Sequence, residues 1–179
     1  MIAWFIAIQV ATNSLAQGAE STMTPISAPN GVSLFKEICF DQFPNSQASI
    51  EQISRPEYAL VKEPETPSQA MQPGDAWFSS TARVTYVDAD WMPRDLPSPE
   101  CSVTVRLKDA PKHGELASLF SSQLNLPQGR IGKDSSRAQS QWDMSGVSPD
   151  KWRLFLTTQE TPSGTELTMM IMNLRGKKK

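Results

Sequence analysis

The stretch Cys101-Ser102-Val103-Thr104-Val105-Arg106-Leu107-Lys108 places apolar residues at its odd positions and polar ones at its even positions. Successive side chains of an extended chain point to opposite faces, so this alternation predicts a β-strand with one dry and one wet face. The period then changes. Leu116, Leu119, Phe120 and Leu124 fall at i, i+3, i+4 and i+8, one stripe of an amphipathic helix. Asp109 and Pro111 suit the start of that helix, and Pro127 bars its continuation. A half-dry strand feeding a one-sided helix predicts a sheet with helices on its dry face.

The flanks repeat this arrangement. Leu34, Phe35, Ile38 and Cys39 make a similar stripe on a first helix, and a short helix over residues 46–54 stops before Pro56. Residues 81–88 read as a partner strand, joined to the quoted one through a Pro-rich loop over 89–100. Residues 138–144, 152–158 and 166–174 give three more strands, the last two a hairpin across Glu160-Thr161-Pro162-Ser163-Gly164. The order helix, strands, helix, strands predicts an α+β fold: an antiparallel sheet with helices packed on one face. Trp77 and Trp142 open comparable positions in the two halves, although no aligned repeat is visible.

At the N-terminus, Ile2 to Ala11 form an apolar run too short for a bilayer, which takes about 20 residues. Ser14-Leu15-Ala16 follows, with small residues where a signal peptidase cuts. Residues 1–19 are therefore expected to be a signal peptide and 30–175 a single domain, although a signal usually opens on a basic residue and none precedes Lys36. That reading implies a periplasmic or secreted protein with no stable membrane insertion after cleavage. An oxidising compartment and two core-facing cysteines predict a disulfide between Cys39 and Cys101.

Exclusion carries most of the functional reading. A net charge of −2 over 179 residues offers no field to recruit nucleic acid. The basic run Arg175-Gly176-Lys177-Lys178-Lys179 reads as a solvated tail. His113 is the only histidine, so no histidine cluster can hold a metal, and it reads as an exposed helix-start residue. Ser33-Leu34-Phe35-Lys36 and Ser148-Pro149-Asp150-Lys151 match a Ser-x-x-Lys nucleophile string but lack its companion motifs. Gly129-Arg130-Ile131-Gly132-Lys133 has the wrong glycine spacing for a phosphate loop and reads as a turn. Asp88, Asp90 and Asp95 around Trp91 read as a solvated acidic loop. No catalytic residue, metal or cofactor is expected.

Thr168-Met169-Met170-Ile171-Met172 is apolar on both sides of its strand. Met170 and Met172 oppose Leu167, Met169 and Ile171, which puts them on the second face as a candidate partner-binding surface.

The spacing of Cys39, Trp77, Cys101, Leu116, Leu119, Phe120 and Trp142, covering residues 34–174, resembles that of small exported alphaproteobacterial proteins of unassigned function. That resemblance implies a cell-envelope setting and supplies no activity. The expectation is a non-catalytic envelope protein acting through contact with a protein partner. The alternatives are a small hydrolase using carboxylate or serine side chains, or a carrier of a small apolar ligand.

Overall fold

The computed structural model describes residues 23–64, 74–87, 99–127, 129–134, 137–144 and 152–173. The expectations for residues 1–19, for Asp88, Asp90 and Asp95, for the second Ser-x-x-Lys string and for the basic run at 175–179 lie outside those residues.

Three α-helices and eight strands are described, and the fold is α+β. Helix α1 spans Ala28–Phe35 and passes into a π-helical turn, Lys36–Phe40, in which the Asp41 amide reaches back five residues to the Lys36 carbonyl at 2.9 Å. Helix α2 spans Ser46–Ile53, its first turn capped by the Asn45 side chain, which accepts from the Ala48 amide at 3.1 Å. Strands β1 (Val61–Lys62), β2 (Asp75–Phe78), β3 (Ala82–Val87) and β4 (Glu100–Arg106) complete the first half. The second half is α3 (His113–Gln123), then β5 (Arg130–Asp134), β6 (Arg137–Asp143), β7 (Trp152–Thr161) and β8 (Gly164–Asn173).

All eight strands join one antiparallel sheet in the order β1-β2-β3-β4-β8-β7-β6-β5. Each half is therefore helix followed by a four-stranded meander, and the last strand of each meander meets the other at the sheet centre. An approximate two-fold between β4 and β8 relates the two halves in topology. Trp77 on β2 and Trp142 on β6 occupy the second strand of each meander, both buried, opposite Val84 and Leu154. The echo suggested by these tryptophans is thus real at the level of topology.

The inner face carries the core. Ala82, Val84 and Tyr86 of β3, Cys101, Val103 and Val105 of β4, Leu167, Met169 and Ile171 of β8, and Leu154 and Leu156 of β7 are all buried. Against them lie Val32 and Phe35 of α1, Ile38 and Cys39 of the π-helical turn, and Leu116 and Phe120 of α3, all buried. Phe120 joins the two halves: its ring centroid is 5.5 Å from that of Phe35 and 4.8 Å from that of Trp142. Gly31 lets α1 close on the sheet, since a Cβ there would sit 2.9 Å from Val105 Cγ2.

The Cys39–Cys101 disulfide is present, joining the π-helical turn to β4 with Cα atoms 5.6 Å apart. Past the end of α3 at Gln123 and its cap Leu124, Asn125 has a left-handed φ of 54°, a conformation asparagine tolerates better than most residues.

Three expectations need correction. Residues 129–133 do not form a turn: Arg130–Asp134 is edge strand β5, paired with β6. Leu119 is only partly buried, and Ala117 takes its place beside Leu116 and Phe120 on the packed side of α3. His113 is not an exposed helix-start residue but is half-buried against β6 and β7. Strands β1 and β2 were not foreseen. No helix among the described residues is long and apolar enough to cross a membrane.

Candidate functional site

Two features of the sheet carry chemistry. The first is its outer face, the polar side of the β4 alternation, on which Ser102 and Arg106 are nonetheless buried. Met170 and Met172 lie on that face, half-buried, as their parity requires. Met170 pairs with Phe155 of β7 on one side and Ser102 of β4 on the other; Met172 pairs with Arg153 and Glu100. Phe155, also half-buried, thus stands next to Met170 and extends the apolar patch across the β7–β8 seam.

A hydroxyl row borders this patch. Thr104, Thr168 and Thr157 are cross-strand neighbours, with the Thr104 and Thr168 hydroxyls 3.0 Å apart. Beyond it stand Arg106, Glu166 and Gln159, and on the other side Glu100 and Arg153. Burial raises the pKa of the Glu100 carboxyl above its ordinary value. At the sheet edge Val61 and Phe78 pair on the same face, 62% and 37% exposed, beside Arg83, whose guanidinium donates to both Glu63 carboxylate oxygens at 2.9 and 3.0 Å. The outer face therefore has an apolar centre, a hydroxyl border and charged margins, the layout of many protein interfaces.

The second feature is a polar cluster on the inner face. His113, the first residue of α3, is not simply exposed: it is half-buried and reaches two strands at once. Its Nδ1 lies 2.9 Å from Thr158 Oγ1 on β7, and its Nε2 lies 2.9 Å from Ser140 Oγ on β6. Burial lowers its pKa from the ordinary histidine value of 6.5. The positive end of the α3 dipole acts in the same direction. Glu115, two residues on, accepts the Lys112 amide at 3.3 Å and holds the helix start in place.

A serine hydrogen-bonded to a histidine is the geometry of a nucleophile and its base. Here it lacks the rest of that chemistry. Ser140 is fully buried, so no substrate reaches its hydroxyl, and Nδ1 meets a threonine where a carboxylate would stabilise an imidazolium. Of the Ser-x-x-Lys residues, Ser33 and Lys36 lie at the end of α1, with Lys36 paired to Asp41 at 2.7 Å. Both cysteines are consumed by the disulfide.

Sequence reasoning reached Met170 and Met172 but not Phe155, Ser140 or Thr158. The signals existed. Phe155 alternates with Leu154 and Leu156, and Ser140 stands at the inner parity of Ala138 and Trp142. Comparison with protein-family models, curated proteins and solved structures found no match to this chain.

Proposed function

We propose that this chain is an exported, non-catalytic cell-envelope protein that docks a protein partner on the outer face of its sheet, centred on Phe155, Met170 and Met172. The observation that carries the reading is the Phe155–Met170 cross-strand pair, two large, half-buried apolar side chains on the face opposite the packed helices. Aromatic and methionine side chains are enriched at interface centres, and methionine adapts to the shape it meets. The occupant the face suits is a protein with a flat apolar patch and a polar rim, contacting the threonine row and the margins at Arg153 and Glu166. The export signal expected at residues 1–19, together with the Cys39–Cys101 disulfide, supports an oxidising compartment.

A photo-crosslinking amino acid placed at position 170, and separately at exposed Ser118 on α3, tests this in cells. A crosslinked species of one defined mass at 170, absent at 118 and lost on Phe155→Gln in a folded protein, is the expected result. No position-specific species at 170, or unfolding of the Phe155→Gln variant, would overturn it.

A further inference from the structure

The cluster at the start of α3 has a protonation logic of its own. A neutral imidazole offers one donor and one acceptor. The Ser140 hydroxyl is fully buried, and among the described residues its hydrogen bond is to His113 Nε2. With the ring proton on Nδ1, Ser140 donates to Nε2 and Nδ1 donates to half-buried Thr158. The ring hydrogen and the buried Ser140 hydrogen then both have a partner.

A second ring proton breaks that arrangement. Both nitrogens become donors, and fully buried Ser140 has to accept from Nε2, the acceptor its own hydrogen used among the described residues. The new charge also sits at the positive end of α3 and partly out of water.

Among the described residues no carboxylate bonds the His113 ring, and Asp109, in the segment leading into α3, is exposed. On α3 the charged residues are Lys112 at its cap and Glu115, whose carboxylate is engaged with the Lys112 amide. Ala138 and Trp142 share the β6 inner face with Ser140 and are uncharged. Glu160 follows Thr158 two residues along β7, and both its oxygens accept from Thr165 at 2.9 and 3.0 Å. The β5 register position opposite Ala138 is Lys133. Helix α1, packed on α3, carries no charged residue.

We infer that His113 is a proton-released clamp: neutral, it ties the start of α3 to β6 and β7, and protonated, it lets go of Ser140. The depressed pKa of His113 agrees with this. Between the clamped-state midpoint and 6.5 the released state binds more protons, so the clamp holds above pH 6.5 and weakens as pH falls below it.

His113 is the only histidine, so its ring gives the single imidazole signal in an NMR titration of the full chain. The expected midpoint is below 6.5, with the protection factors of the Glu115 to Ala117 amides falling across the same range. That fall should be up to about tenfold for each pH unit separating the clamped and released midpoints. Thr158→Asp, which supplies a carboxylate to Nδ1, should move the midpoint above the wild-type value and preserve α3 protection at pH 5. His113→Gln should remove the pH dependence of α3 protection. A wild-type midpoint at or above 6.5, or the same pH dependence in His113→Gln, would overturn the inference.

Discussion

The two halves of this molecule share a topology and differ in how each fastens helix to sheet. In the first half the fastening is covalent: Cys39 of the π-helical turn is bonded to Cys101 of β4. In the second it is a pair of 2.9 Å hydrogen bonds from His113 to Thr158 and Ser140. A disulfide is indifferent to mild acid and opens under reductant; an imidazole bonded to hydroxyls does the reverse. One fold repeated across an approximate two-fold thus carries two ties with separate sensitivities.

The largest expected effect lies in the first half. A sequence separation of 62 gives roughly 4 kcal/mol for the disulfide in the chain-entropy model. Cys101→Ser should therefore lower the melting temperature by about 10 °C in calorimetry. A change of a degree or two would show that packing alone holds the π-helical turn on β4.

The next effect tests whether the halves fold as one. Phe120→Ala removes the ring between Phe35 and Trp142 and should cost at least about 3 kcal/mol in urea unfolding. Leu119→Ala, at a partly buried position, should cost about 1 kcal/mol. Equal costs would mean that α3 is covered on all sides. Two separate unfolding transitions in either variant would mean that the halves are independent.

Gly31→Ala sharpens the comparison at a close helix-to-sheet approach of the first half. The added Cβ meets fully buried Val105 at 2.9 Å, and relieving that contact should cost about 1–3 kcal/mol. Gly114→Ala, near the start of α3, meets nothing within 4 Å and should be neutral or stabilising.

What was legible in the sequence follows the strength of local periodicity. The central strand and α3 were readable because burial on one side imposes a period, 2 for β4 and 3.6 for α3. β1 is two residues long and β5 carries Arg130, Gly132, Lys133 and Asp134, so neither has an apolar face to announce it. Charged and glycine-bearing edge strands look like turns because they protect the sheet from further pairing. The disulfide was legible because both cysteines sat on predicted core faces. His113 was misread because its surroundings come from two strands more than 25 residues away, Ser140 at a separation of 27 and Thr158 at 45. No local pattern encodes that convergence. Phe155 went unnoticed because its strand was read for its dry face alone.

Residue-resolved hydrogen exchange on the intact chain tests the two-tie account most directly, comparing oxidised and reduced protein at pH 7 and oxidised protein at pH 5. Reduction should strip protection first from the Lys36–Phe40 turn and α1 while the first turn of α3 holds; acid should strip the first turn of α3 while the disulfide-bonded turn holds. Loss of the same amides to the same degree under both treatments would contradict the account.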